Sequence, residues 1–144
     1  MGLSLNHYSI RTHDLDGCRA FYETVLGLTV GPRPDFPFPG LWMYAGDHAD
    51  YANAAVHIIG VGRADARGTG AIDHVAFFAT GLAVMLQHLH QLGVPFRERA
   101  VPGLGLYQLF VQDPNGVVVE MNYPAAERAA LEAGASGDQE APAS

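Results

Sequence analysis

The sequence contains no lysine, so its eight basic residues are all arginines, and its formal net charge is −7. A chain without lysine has neither a Schiff-base lysine nor the lysine of a phosphate-binding P-loop. An acidic chain without a basic stretch also lacks the positive surface that nucleic-acid binding requires. We therefore expect no nucleic-acid partner and no lysine chemistry.

Cysteine and long apolar runs are scarce as well. The single cysteine, Cys18, cannot form an internal disulfide, and without a second cysteine nearby we expect no thiolate zinc site. No apolar run approaches the roughly 20 residues that span a bilayer, and the first residues lack the pattern of a signal peptide. These absences predict a cytoplasmic protein with no membrane partner.

One pattern of elements occurs twice along the chain. Each half begins with a strand whose third residue is a histidine, His7 or His74, followed by a helix that stops at a glycine, Gly27 or Gly93. Three short strands follow each helix, so the duplication predicts an α+β fold made of two tandem βαβββ modules. The predicted ranges are 1–60 for the first module, 61–70 for a linker, 71–123 for the second module and 124–144 for a partly disordered tail.

The expected elements follow from periodicity and turn residues. Asp14 is expected to cap the first helix, and Asp113–Gly116 to form a hairpin turn. A short tail helix is expected over 126–133, with disorder from Gly134 onwards. The expected strands are 5–12, 28–30, 41–45, 54–59, 72–78, 96–101, 106–111 and 117–123, and the second helix covers 82–92.

Glu120 is a carboxylate inside the otherwise apolar last strand, Val117–Tyr123. Burying such a charge costs several kcal/mol unless a cation or strong hydrogen bonds compensate it. Alternation puts Val118, Glu120 and Asn122 on one face of the strand. We expect that face to line a polar cavity.

The duplicated register relates polar residues of the two halves. His57 of the first half corresponds to Glu120 of the second. His7 with His57 and His74 with Glu120 therefore form two symmetric pairs. The same counting aligns two further positions in each half. These alignments are Trp42 with Gln108 and Tyr44 with Phe110.

Five stretches carry a resemblance to a known family, and together they span residues 5 to 123: Leu5–Tyr8, Phe21–Leu28, Val56–Ile59, Ile72–Phe77 and Phe110–Glu120. They resemble the vicinal oxygen chelate superfamily, which includes glyoxalase I, methylmalonyl-CoA epimerase, extradiol dioxygenases and the fosfomycin and bleomycin resistance proteins. The resemblance implies eight strands that curl into an open cavity around a divalent metal.

The resemblance implies that His7, His74 and Glu120 are metal ligands. It places His57 at a fourth position, which holds Glu or Gln in lyase and isomerase members, so a histidine there would be a ligand or a base. Two neutral imidazoles and one carboxylate leave positions open for a chelating substrate or water. Such ligands suit Fe, Mn, Co, Ni and Zn alike, so the metal stays open.

The activity that the resemblance favours is that of a metal-dependent lyase or isomerase, in the manner of glyoxalase I. The metal would stabilise an enediolate by binding two adjacent oxygens of a small-molecule substrate. Glu120 would be the base, with His57 as the opposite base by pseudo-symmetry. The residues expected to line the substrate cavity are Trp42, Tyr44, Gln108 and Phe110.

Other activities of the superfamily remain open. An extradiol ring-cleaving dioxygenase is the first alternative, although the position of its tyrosine holds Phe110 and residues 101–103 supply no histidine. Thiol transfer to fosfomycin needs cations, for which Arg97 and Arg99 are candidates. A bleomycin-resistance-like binding protein would dispense with the metal. Members commonly pair, so we expect a homodimer, with the site formed in one chain or shared by two.

Overall fold

The chain forms two βαβββ modules in tandem, as the sequence predicts. A computed structural model describes residue 2 and residues 4–65, 68–101 and 103–137. Short 3-10 turns occur at Tyr51–Asn53 and Arg63–Asp65. The strands and helices are β1 (Tyr8–Thr12), α1 (Leu15–Thr24), β2 (Thr29–Gly31), β3 (Gly40–Tyr44), β4 (Val56–Gly60), β5 (His74–Phe78), α2 (Leu82–Leu92), β6 (Arg97–Val101), β7 (Leu106–Gln112), β8 (Val118–Pro124) and α3 (Ala125–Gly137).

The strands form two mixed sheets with the same topology. Their orders are β1-β4-β3-β2 and β5-β8-β7-β6. In each sheet the first strand of the module runs parallel to the last, and the other pairs are antiparallel. The chain divides into two compact units, the first made of residues 1–71 with 113–117 and the second of residues 72–112 with 118–144.

In the first unit, alternation along β1 and the apolar stripe of α1 form the core. Ile10 and Thr12 are buried, whereas Ser9 next to Ile10 on the strand is exposed. Asp14 caps α1 as predicted, because its side chain accepts a hydrogen bond from the Gly17 backbone N–H at 2.9 Å. The helix ends at Thr24, three residues before the predicted stop at Gly27.

The predicted hairpin turn at 113–116 is confirmed. The Gly116 N–H donates to the Asp113 carbonyl at 3.1 Å, and Gly116 has a φ of +86°, which favours glycine. Asp113 is buried, and its carboxylate accepts from the backbone N–H of Asn115 and of Val117 and from the Tyr22 hydroxyl. These bonds satisfy the buried carboxylate within the first unit.

In the second unit, α2 has the predicted bounds and ends at Gly93, whose φ is +66°. Its N-cap residue, Gly81, has no side chain to offer, and the carboxylate of Glu127 on α3 accepts from the Gly81 and Leu82 N–H groups at 2.9 and 2.6 Å. The tail helix is longer than predicted and includes Gly134, so the expected disorder is wrong for 134–137. Residues 138–144 lie outside the described residues.

The first strand of each module is shorter than predicted. β1 starts at Tyr8 rather than Leu5, and β5 starts at His74 rather than Ile72. Both are edge strands with one partner each, and their ladders begin at the pairs Tyr8–Val56 and His74–Val118. His7 therefore lies just before β1. Within the described ranges, every helix is too short or too polar to cross a membrane.

Candidate functional site

The four predicted ligand residues occupy equivalent positions in the two modules, although His7 lies just before β1 and His74 is the first residue of β5. His57 pairs with the residue two positions after His7, and Glu120 pairs with the residue two positions after His74. The β-ladders therefore confirm that His57 is equivalent to Glu120.

The ladders also correct both alignments made from the sequence between β3 and β7. Trp42 pairs with His57 and Phe110 pairs with Glu120, so Trp42 is equivalent to Phe110. The predicted alignments of Trp42 with Gln108 and of Tyr44 with Phe110 are therefore each wrong by two residues. Counting along the chain fails here because the loops that flank β3 are longer than those that flank β7.

In the second unit, a network of hydrogen bonds surrounds the buried carboxylate of Glu120, which is 5% exposed. Its Oε1 accepts from the side-chain amides of Gln108 and Asn122, each at 2.7 Å. Its Oε2 lies 3.1 Å from Nε2 of His74, and the other ring nitrogen of His74 lies 2.7 Å from the Asp73 carboxylate. One oxygen of Glu120 is thus fixed by amides, and the other faces an imidazole nitrogen.

The Gln108 amide is itself held in one orientation. Arg99 donates from Nε to Oε1 of Gln108 at 2.8 Å, which turns Nε2 towards Glu120 and towards Oδ1 of Asn122 at 2.9 Å. Since each amide group donates and accepts in defined directions, Arg99 determines which end of Gln108 meets the carboxylate.

These bonds explain how the buried charge of Glu120 is tolerated. Of the two compensations that the sequence allows, strong hydrogen bonds are present in the structure, because two side-chain amides donate to Oε1 of the carboxylate. The burial of Glu120 therefore does not by itself require a metal.

In the first unit, the two histidines belong to a column of stacked rings. The ring centres of His7 and His57 are 3.7 Å apart, and those of His57 and Trp42 are 3.9 Å apart, with interplanar angles of 14° and 10°. Burial lowers the pKa of His57 to about 4, the neighbouring His7 adds to this, and a hydrogen bond to the Ala54 backbone opposes it. His57 is therefore neutral at pH 7, the form that binds metals.

Each histidine at the start of a module has a polar neighbour that orients its ring. Nδ1 of His7 lies 2.6 Å from Oδ1 of Asn6, as Nδ1 of His74 lies close to Asp73. When Nδ1–H donates to such a neighbour, the Nε2 lone pair is left to bind a metal. The sequence prediction did not include these neighbours, although a polar residue directly before each histidine was a visible signal of them.

The donor types fit a divalent cation, although no unit gathers a complete site among its described residues. Nε2 of His74 and Oε2 of Glu120 are 3.1 Å apart, close to the ~3 Å between neighbouring ligand atoms of an ion with bonds of ~2.1 Å. A neutral His74 that donates to Asp73 would face Oε2 with a lone pair, so a cation between them would be favourable. Across the part of the chain that the structure describes, no group of three or more His, Cys, Asp or Glu side chains could hold a metal.

The residues predicted to bind substrate have different surroundings. Phe110 lines a cavity of about 390 Å³ in the second unit, and Gln108 lies beside Glu120. Trp42 belongs to the column of rings. Tyr44 is 1% exposed, and its hydroxyl donates to the Pro32 carbonyl at 2.5 Å. The residues around the cavity are Pro95, Phe96, Arg97, Phe110, Val111, Gln112 and Val118.

Tandem βαβββ modules, with polar side chains at equivalent positions of two mixed sheets, define the class of vicinal oxygen chelate folds. The model of the Glyoxalase/Bleomycin resistance protein/Dioxygenase superfamily matches residues 4–121, so the chain belongs to this superfamily. A search of curated proteins gives no match.

Solved structures of the superfamily share this fold. A glyoxalase family protein from Bacillus anthracis is 21% identical, with a TM-score of 0.69, over 86% of this chain and 97% of that chain. The trypanothione-dependent glyoxalase I of Leishmania major is 20% identical, with a TM-score of 0.66, over 97% and 100%. A fosfomycin resistance protein from Listeria monocytogenes is 15% identical, with a TM-score of 0.60, over 85% and 94%. At these identities the likeness shows the fold alone.

Proposed function

We propose that the protein is a divalent-metal-dependent lyase or isomerase that moves a proton beside a carbonyl group of a small substrate with two adjacent oxygens. The observation that carries the proposal is the pairing of Glu120 with His74, in which Oε2 of a buried carboxylate faces an imidazole nitrogen at 3.1 Å. Structural relatives that include a glyoxalase I support this choice of reaction.

The residues that would hold the metal are His74 and Glu120 of the second unit with His7 and His57 of the first, from one chain or from two chains of a homodimer. A bound divalent cation supplies positive charge that stabilises negative charge developing on the substrate oxygens. Three imidazoles and a carboxylate suit Fe, Mn, Co, Ni and Zn.

Glu120 is the base in this proposal, and its surroundings select the reacting atom. Gln108 and Asn122 both donate to Oε1, so Oε2 is the oxygen that would bind the cation and that would leave it to accept a proton from the substrate carbon. Because the two amides hold Oε1, only Oε2 would change its partner when the proton moves.

His57 stays in the proposal chiefly as a ligand. Burial lowers the pKa of His57 to about 4, so its ring is neutral at pH 7, and a neutral imidazole is a good ligand. The ring also lies between those of His7 and Trp42, which fixes its orientation. Its role as the base opposite Glu120 remains a prediction.

The test combines metal content with proton exchange. Protein purified without chelators should contain about one metal per site by elemental analysis and should exchange a substrate proton next to the carbonyl with deuterium from the solvent. Glu120→Gln should lower that exchange by about 10²- to 10⁴-fold, the usual contribution of a general base. The matched control is Glu98→Gln, since Glu98 contacts Tyr107 and Arg128 instead.

Unchanged exchange in Glu120→Gln would remove Glu120 as the base. Oxygen uptake with catechols in the presence of Fe(II) would instead support a ring-cleaving dioxygenase. These readouts separate the two reactions on the same preparation.

A metal-free binding protein is the second candidate, and one observation favours it. Hydrogen bonds from Gln108 and Asn122 compensate the Glu120 charge in part without a cation, and a protonated His74 would complete the compensation. This alternative predicts protein that contains no metal, takes up none when Fe, Mn, Co, Ni or Zn is added, and still binds apolar ligands.

A further inference from the structure

Two arginines of β6 approach the same aromatic ring. Cζ of Arg97 lies 4.9 Å from the centre of the Phe110 ring, and Cζ of Arg99 lies 5.4 Å from it. Arg97 pairs with Phe110, which pairs with Glu120 on the next strand. Both guanidinium groups therefore belong to the sheet face that carries Glu120.

Neither of these two cations is neutralised by a carboxylate among the described residues. Arg99 donates to the neutral amide of Gln108, and Arg97 forms no hydrogen bond or ion pair with the residues that the structure describes. Arg19 and Arg128, in contrast, each pair with a glutamate four residues along their helix at 3.0 Å. In a chain of net charge −7, two arginines without a carboxylate partner among the described residues offer positive charge that a ligand can use.

The cavity beside these arginines has an apolar wall and a cationic edge. Phe96 and Phe110 line it together with Arg97, and its volume is about 390 Å³, within the range of small-molecule sites. A guanidinium group binds carboxylate and phosphoryl oxygens through two parallel hydrogen bonds. A ligand with an apolar body and one acidic group matches both features.

We propose that the substrate of this site is a small organic anion, whose acidic group pairs with Arg97 and whose apolar body contacts Phe96 and Phe110. The inference rests on the proposed function and names the class of its substrate. Arg99 is a positioning residue, because it acts through the orientation of Gln108. Carboxylates and phosphonates share the recognised chemistry, and direct binding measurements distinguish them.

The test is isothermal titration calorimetry with three probes that share a phenyl ring: phenylacetate, phenylphosphonate and the neutral phenylacetamide. The chelator-treated protein should bind at least one anion at least tenfold more tightly than the amide, and added salt should weaken the binding. Arg97→Gln should lower the affinity for the anion about tenfold or more, and Arg97→Lys should retain part of it. The matched control, Arg19→Gln, makes the same charge change on α1 and should bind like the wild type.

Equal affinity for the amide and the anions, or an unchanged affinity in Arg97→Gln, would overturn the proposal. Anions that bind only after a divalent metal is added, and equally well in Arg97→Gln, would overturn it too while supporting the metal-dependent function. Anion binding that depends on Arg97 in a protein that takes up no metal would keep the anion site and refute the metal-dependent reaction. The tighter of the two anions identifies the acidic group.

Discussion

The two units share one topology and one register, but different interactions hold their candidate ligands: ring stacking in the first unit, and hydrogen bonds and charge in the second. In the first unit, His57 lies between the rings of His7 and Trp42, and burial keeps it neutral. In the second, His74 and Glu120 lie in a network of carboxylates and amides. The candidate ligands of the first unit thus lie in an aromatic stack, and those of the second unit lie among charged and amide side chains. We propose that the proton transfer takes place in the second unit.

The largest expected effect compares one histidine from each half. Loss of a residue that hydrogen-bonds to a metal ligand typically weakens metal binding roughly 10- to 100-fold. If both halves supply ligands, His7→Ala and His74→Ala remove a ligand itself, so each should weaken metal binding by more than that. Competition with a chelator of known affinity measures the change. His13→Ala is the control, because His13 is exposed and lies beyond the end of β1.

A loss confined to His74→Ala would show that the second unit binds metal without the first. The stacked histidines would then be part of a ligand-binding wall rather than of a metal centre.

The next largest effect on metal affinity is expected when the polar neighbours of the two histidines are exchanged. Asp73→Asn should lower metal affinity about 10-fold, up to about 100-fold, because a carboxylate behind an imidazole raises its basicity. Asn6→Asp should raise the affinity for the same reason. Since Asp73 is 94% exposed, its effect should shrink as salt is added. The same chelator competition measures both variants, and effects of equal sign would contradict this interpretation of the two rings.

Much of the fold could be predicted because the sequence pattern of one module occurs twice in the chain. The order of elements, the bounds of α2, the Asp14 cap and the turn at Asp113–Gly116 all follow from local patterns, and the structure confirms them. The first residues of β1 and β5 could not be predicted in this way, because each strand starts where its parallel partner strand begins.

For the candidate site, the sequence names candidate residues but does not give their contacts. Alternation placed Asn122 on the face of Glu120, yet the sequence alone does not show that an amide from another strand reaches the same oxygen. That contact depends on the antiparallel register of β7, which places Gln108 opposite Asn122. The stack of His57 on Trp42 depends in the same way on the pairing of β3 with β4.

A smaller effect compares how the two units cap their first helices. Asp14 caps α1 from the adjacent position, whereas Glu127 caps α2 from α3. Asp14→Ala and Glu127→Ala should each lower the free energy of unfolding by about 1 kcal/mol, since each leaves backbone N–H groups without their acceptor. Urea denaturation measures both, and Glu132→Ala is the control, because Glu132 is exposed on α3 and pairs with Arg128.

Glu127→Ala should also speed hydrogen exchange at the first turn of α2, because that turn depends on α3. Exchange that stays at the wild-type rate there would show that the N-terminus of α2 does not need the contact.

The smallest expected effect is a signal that stays constant with pH. Trp42 is the single tryptophan, and it stacks on His57, whose pKa is lowered from 6.5 to about 4. In chelator-treated protein, tryptophan fluorescence should therefore stay nearly constant from about pH 7.5 to about pH 5.5, where an unperturbed histidine would titrate. Because the lowered pKa favours the neutral ring, the contribution of His57 to stability is complete above pH 6.5 and is lost as the pH falls towards 4. A fluorescence change centred near pH 6.5 that disappears in His57→Gln would show that His57 ionises like an ordinary histidine.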